Sequence, residues 1–184
     1  MSVIVIEFVT LDGIVSDPDG SEGTTGGGWA FRHGREAVAG DKFRVGTIMD
    51  HGVLVLGRKT WELFSHIWPG RDDPFSRRMN RIPKLVASRT LTDTSAYPNS
   101  QVINGDVVDA VRHERRDVII TGSLSVVRAL MARDLITEYR CLIFPTVLGT
   151  GERLFPAGTP SAYLECLSAE QSGPAVFARY GKPE

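Results

Sequence analysis

The sequence predicts an α/β domain of three layers, with an open, mostly parallel central sheet between helices and antiparallel strands at its C-terminal end. Two observations carry that expectation. Val53-Leu-Val-Leu56 and Asp117-Val-Ile-Ile120 are near-continuous apolar blocks, the pattern of strands buried on both faces of a parallel sheet. Helical stretches alternate with such blocks, whereas residues 138–180 read as three strand-like segments joined by turns, without a helix.

Strands are expected at 3–9, 53–57, 84–88, 101–103, 117–121 and 138–146, with two more near 162–167 and 174–180. A first helix is expected over 35–50, where Val38, Phe43, Val45, Ile48 and Met49 supply the apolar positions. A second is expected over 59–67, and a third over 74–81 with Pro74 in its first turn, where a missing N–H costs little. The clearest helix is 123–134, with Leu124, Val127, Leu130, Met131 and Leu135 on one face and Ser123 as its N-cap. Residues 17–29, with Asp17-Pro-Asp-Gly20 and Gly26-Gly-Gly28, read as a long flexible loop of the kind used as a lid or left disordered. No repeat or linker divides the chain, so residues 1–184 are read as one domain.

Composition narrows the function classes. Hydrophobic residues make up 42% and charged residues 23% of the chain, ordinary globular usage that excludes a disordered or coiled-coil protein. With 21 basic against 22 acidic residues the net charge is −1, which gives no electrostatic case for nucleic acid or an anionic membrane. The apolar runs are too short to cross a bilayer, and the N-terminus opens directly into a strand without a signal-peptide pattern, so a cytoplasmic location is expected. Cys141, in the run Cys141-Leu-Ile-Phe144, reads as a small buried hydrophobe, and it and Cys166 fit reduced thiols.

Three strand ends carry residues suited to phosphate. Val118-Ile-Ile-Thr-Gly-Ser-Leu-Ser125 runs from a strand through Gly122 and Ser123 into a helix whose first N–H groups lack partners, an anion site that a glycine lets a phosphate approach. Val53-Leu-Val-Leu-Gly-Arg-Lys-Thr-Trp61 ends a strand at Gly57 and presents Arg58 and Thr60, where open α/β sheets bind ligands. Lys84-Leu-Val-Ala-Ser-Arg-Thr90 ends in Ser88 and Arg89, so Arg89 is placed to share a phosphate with Arg58. Singly, each has a bland alternative: an economical connection, a solvated basic pair, a surface turn. Three together make coincidence the weaker reading.

At these residues the chain resembles the dihydrofolate reductase superfamily, and more closely the reductase domain of bacterial riboflavin biosynthesis and its stand-alone relatives. Phe8-Val-Thr-Leu-Asp-Gly-Ile14 is similar to that family's first strand and its S/T-L-D-G turn, and Gly57-Arg-Lys-Thr-Trp61 to its G-R-x-T-W motif. Lys84–Thr90 resembles the strand ending in S-R, and Thr121-Gly-Ser123 stands at the glycine-rich helix start. Pro145-Thr-Val-Leu-Gly-Thr-Gly-Glu-Arg-Leu-Phe155 is similar to the P-x-x-L-G-x-G-x-x-L-F segment that marks the riboflavin branch. The resemblance implies an NADPH-dependent reductase and a homodimer. It implies that Arg58, Arg89 and Ser88 bind the 2′-phosphate, that Thr60, Gly122 and Ser123, beside Gly57, hold the pyrophosphate, and that the nicotinamide lies near Thr10, Leu11 and Asp12. Independently of the family, two guanidinium groups at one strand-end site favour NADPH over NADH, because only NADPH carries the extra dianion. The implied substrate is a small heterocycle, 5-amino-6-(5-phosphoribosylamino)uracil-like or pterin-like.

Hydride chemistry belongs to such a cofactor, and the protein adds orientation and at most one proton donor. Two acids are candidates. Asp41 lies on the expected 35–50 helix, where the alternative is a solvated charge; Asp12 follows the first strand, where the alternative is a turn residue bonded to its own backbone. Trp29 is a candidate for closing the loop over substrate, and Arg153 and Lys42 for a substrate phosphate. His33, His51, His66 and His113 are scattered, no zinc-deaminase or G-x-S-x-G signature occurs, and no metal is expected. A different class remains open on the same residues, a non-catalytic module that binds NADPH or another nucleotide.

Overall fold

A computed structural model of the chain describes residues 1–183. The chain divides into two compact units, Met1–Val5 with Val45–Thr137, and Ile6–Arg44 with Glu138–Glu184.

The first unit is the parallel one. It takes the start of β1 (Val3–Thr10), then α1 (Ile48–His51), β2 (Val53–Gly57), α2 (Arg58–Ile67), α3 (Pro74–Arg81), β3 (Lys84–Ala87), β4 (Ser100–Val102), α4 (Val107–His113), β5 (Val118–Ile120) and α5 (Leu124–Met131). Its strands run parallel in the order β4-β3-β2-β5-β1, with Val3 beside Val118, Val55 beside both Ile120 and Leu85, and Leu85 beside Gln101. Every residue of β2 and β5 is buried, as their unbroken apolar runs predict. α3 and α4 start at Asp73 and Asp106, whose carboxylates accept the N–H groups of Phe75 and Ser76, and of Val108 and Asp109. α4 was not expected, although Asp106 as a cap with Val108 and Val111 buried beneath it is its signature. β3 opens on a buried cation. Lys84 is 1% exposed, its Nζ donates to the carbonyls of Ile82 (2.8 Å), Asn80 (3.1 Å) and Pro98 (3.1 Å), and it lies 4.1 Å from the centre of the Tyr97 ring.

The second unit holds the antiparallel strands β6 (Glu138–Phe144), β8 (Ala175–Gly181) and β7 (Glu165–Ser172), with Cys141 opposite Ala178 and Ala178 opposite Ala169. The helix expected over 35–50 does not form there. Two 3-10 turns, Phe31–His33 and Arg35–Ala37, and the single turn α1 are what remain of it. The reason is glycine spacing: Gly34, Gly40 and Gly46 all have positive φ and interrupt any helix that spans them. The apolar pattern misleads because Phe43, Val45 and Met49 are buried without helical periodicity. Arg140, 4% exposed, fixes this segment by donating to the carbonyls of Phe43 (3.1 Å) and Arg44 (2.5 Å) while its Nε pairs with Glu138 (2.8 Å).

Residues 17–29 fold around one carboxylate. Asp17, 4% exposed, accepts from Glu22 N (3.0 Å), Thr24 N (2.9 Å) and Thr24 Oγ1 (2.7 Å). Trp29 is not a lid residue: it is 1% exposed, donates from Nε1 to the Ser16 carbonyl (2.9 Å) and packs edge-on against Phe144.

Candidate functional site

In the first unit the starts of α2 and α5 lie together. Thr60 Oγ1 is 3.2 Å from Ser123 Oγ, and Gly57 and Gly122 provide the room. A Cβ on Gly57 would stand 2.1 Å from Ser123 Oγ and 2.7 Å from its Cβ, and one on Gly122 would stand 3.0 Å from Thr60 Oγ1. Gly122 also has φ +79°, and the Gly122–Ser123 peptide is cis. Ser123 occupies the N-cap position of α5, yet its side chain makes no cap hydrogen bond, because the hydroxyl turns to Thr60; Gly57 at the N-cap of α2 has no side chain to offer. α3 and α4 satisfy their first N–H groups with aspartates. α2 and α5, side by side, leave theirs to an external acceptor, and an anion is the acceptor that a helix start favours.

The other phosphate-suited residues fall on the same unit. Arg58 is the first residue of α2 and is exposed, with its Nη1 on Glu62 Oε1 at 2.6 Å, a solvated pair one helical turn apart that costs little to open. Ser88 follows β3, and its Oγ accepts from Thr90 N (3.2 Å) and Leu91 N (2.9 Å), which leaves the hydroxyl proton to donate. Arg89 is exposed beside it.

In the second unit the end of β1 is locked to the segment after β6. Asp12 accepts from Thr10 Oγ1 (2.6 Å), Gly149 N (2.7 Å) and Leu148 N (3.3 Å), and Arg153 Nη1 donates to its carbonyl. Those donors hold the Asp12 carboxyl down at about 2, the Thr10 hydroxyl most of all. At neutral pH Asp12 is a fixed carboxylate without a proton to give, a clamp rather than an acid. Thr10 is 1% exposed, and its Oγ1 accepts from Ile14 N (2.8 Å) as it donates to Asp12. Leu11 N donates to the Thr146 carbonyl at 2.8 Å, which completes the lock. Asp41, expected on a helix, lies on the irregular stretch after Gly40, because the helix that would have carried it is broken.

Two residues of this unit escaped the sequence reading. Glu7 is the sole charged residue in the strand Val3–Thr10, a signal in itself; its Oε1 is sealed from solvent without a hydrogen-bond partner, and burial pushes its carboxyl up to about 8. His33 carries no motif, and chain folding alone brings it to Thr146 Oγ1, at 2.8 Å from Nε2.

Comparison with known proteins gives the family and the fold. Residues 1–178 match the RibD C-terminal domain family. The chain belongs to that family. Protein YyaP of Bacillus subtilis (strain 168) is 26% identical over 110 residues, which cover 55% of this chain and 58% of that protein, so less than two thirds of that relative is matched. A structure described as a putative riboflavin biosynthesis protein from Shewanella sp. PV-4 superposes with a TM-score of 0.75 at 21% identity, covering 100% of both chains. A pyrimidine reductase-like protein from Corynebacterium diphtheriae gives 0.65 at 12% identity, over 100% of this chain and 92% of that one. RibD of Acinetobacter baumannii gives 0.58 at 15% identity, over 99% of this chain and 58% of that one. The fold expected from the sequence, dihydrofolate reductase-like with a mostly parallel sheet and antiparallel C-terminal strands, is the fold of this RibD-type chain. Among the described residues no helix is long and apolar enough to cross a membrane.

Proposed function

We propose that this RibD-type domain is an NADPH-dependent reductase of a small heterocyclic substrate, 5-amino-6-(5-phosphoribosylamino)uracil-like or pterin-like. The observation that carries the reading is the pair of uncapped helix starts at Gly57–Thr60 and Gly122–Ser123, packed so closely that a Cβ on Gly57 would collide with Ser123, while Gly122 holds a φ of +79°. A cradle of backbone N–H groups and two hydroxyls fits a pyrophosphate. Thr60, Gly122 and Ser123, beside Gly57, would hold it, and Arg58, Ser88 and Arg89 would take the 2′-phosphate that distinguishes NADPH from NADH. When bound, the dihydronicotinamide supplies a hydride. The family resemblance would give Thr10, Leu11 and Asp12 to its ring end, and the hydrogen bonds around Asp12 hold that backbone in place.

Titrating the purified protein with NADPH and NADH tests the reading. The expected result is binding of NADPH at least about tenfold tighter, since the 2′-phosphate adds charge-assisted hydrogen bonds. Equal or absent binding of both overturns it. One observation favours the binding-only alternative: Asp12 is consumed by its own hydrogen bonds. NADPH oxidation with 5-amino-6-(5-phosphoribosylamino)uracil or dihydrofolate decides between the two.

We also propose a cytosolic homodimer. In the second unit Val147 (68%), Phe155 (49%), Leu167 (46%) and Val176 (46%) stay exposed, the kind of apolar surface a second copy covers. Light scattering at micromolar concentration tests it, and a monomer there rejects it.

A further inference from the structure

The four histidines have different surroundings. His66 and His113 sit exposed near helix C-termini with Nδ1 2.7 Å from the carbonyls of Glu62 and Asp109, and His51 is exposed at the end of α1. Those are surface roles that a helix end accounts for. His33 is half-buried and belongs to no regular helix. Its ring centre is 5.4 Å from that of Phe144, tilted by 36°, and Phe144 is itself packed by Trp29 and Phe8. Its Nε2 lies 2.8 Å from Thr146 Oγ1, while Nδ1 has no partner among the described residues. The Thr146 carbonyl receives Leu11 N, so the imidazole is tied through one residue to the strand end that carries Asp12.

We propose that His33 is the proton donor of the reduction, held at Nε2 by Thr146 and backed by the Phe144 ring. The proposal rests on the reading of the chain as an NADPH-dependent reductase. Asp12 cannot fill this role, being a carboxylate saturated with donors. In the imidazolium form Nε2–H donates to Thr146 Oγ1 and Nδ1–H is left to give. The substrate class that needs both a hydride and a proton is one with a C=N or C=O bond in the heterocycle or attached to it. Carbon of that bond accepts the hydride and its electron pair, NADPH being oxidised to NADP⁺. Nitrogen or oxygen accepts the proton from Nδ1, the π-bond becomes a single bond, and neutral His33 regains its proton from water. The charged groups on the segments that meet here are Arg32 and Arg35 on either side of His33, Asp12 at the strand end and Arg153 after β6. Arg153 is spent on the Asp12 carbonyl, and Asp12 on backbone N–H groups and Thr10.

The test uses the full chain and two readouts. H33Q keeps an amide that can bond Thr146 and removes the titratable proton. In wild type kcat is expected to depend on pH. In H33Q it falls about 100-fold at neutral pH, the usual worth of a positioned general acid, and loses that pH dependence while the NADPH Kd stays within twofold. In the second readout, NADP⁺ is added to wild type and the His33 ring resonance is followed by NMR; its titration midpoint is expected to move, and H33Q identifies the signal. A merely structural histidine would be rescued by glutamine. If NADP⁺ binds and H33Q keeps its rate or the resonance stays put, the role of His33 is rejected and the reductase reading survives. If NADP⁺ does not bind wild type, that reading falls and takes the proposal with it. If NADP⁺ binds and neither 5-amino-6-(5-phosphoribosylamino)uracil nor dihydrofolate is reduced, the binding-only alternative holds and the role of His33 is rejected.

Discussion

The starts of α2 and α5 and the end of β1 are built on opposite principles. At the helix starts the structure is made by subtraction. Glycines stand where side chains would collide, caps are missing where α3 and α4 have them, and donors are left over for a ligand. At the end of β1 the polar groups are spent on one another: Thr10 donates to Asp12, Asp12 accepts from the backbone of Gly149, and the Thr146 carbonyl accepts from Leu11 N. The first region keeps donors unsatisfied, as an anion site would; the second spends its donors on holding its own backbone still.

That contrast can be broken by substitution. The largest effect is expected from Glu7→Gln, next to the rigid region. Glu7 titrates near 8 when folded and at 4.5 as a free side chain. The folded state therefore holds a proton that the unfolded state releases, and wild-type stability is full below 4.5 and is lost as the pH rises toward 8. At about 1.4 kcal/mol for each pKa unit, the advantage of the variant should grow to a few kcal/mol across that interval. Urea unfolding at pH 5 and pH 8 checks it, and parallel curves would mean that Glu7 is ionised and paired.

Gly57→Ala comes next. The added methyl meets Ser123 Oγ at 2.1 Å, so the cradle must open, at about 1–3 kcal/mol, a range reaching roughly 100-fold in NADPH affinity. Calorimetric titration reads it, and unchanged binding would move the pyrophosphate elsewhere. Arg89→Ala should lower the preference for NADPH over NADH about tenfold and leave NADH binding alone, as the loss of one charge-assisted contact. Asp12→Asn is expected to be the mildest. The Asp12 carboxyl titrates near 2 instead of 3.8, so its contribution is present above 3.8 and fades as the pH falls through 2. The variant should melt below wild type at pH 7 and at the same temperature as wild type near pH 2.

The same division explains what the sequence discloses. β2, β5, α2, α3 and α5 are legible because each is specified by its own residues: unbroken apolar runs, Pro74 at a first turn, one apolar face. The helix starts are legible too, since glycine beside a hydroxyl carries meaning at short range. The end of β1 is not. Asp12 meets Gly149 across 137 positions and His33 meets Thr146 across 113, distances over which no local pattern is visible. The apolar residues of 35–50 imitate a helix because loop packing buries them, while Gly34, Gly40 and Gly46 take positive φ and keep the segment irregular.

Lys84 also gives the protein a chemical clock. Its amine is enclosed by three carbonyls and an aromatic face, out of reach of acylating reagents, while Lys42, Lys59 and Lys182 are at least partly open to solvent. Modification of Lys84 therefore requires the α3–β4 segment to come apart. Its labelling rate, followed by mass spectrometry against the fast lysines, would report how often that segment opens.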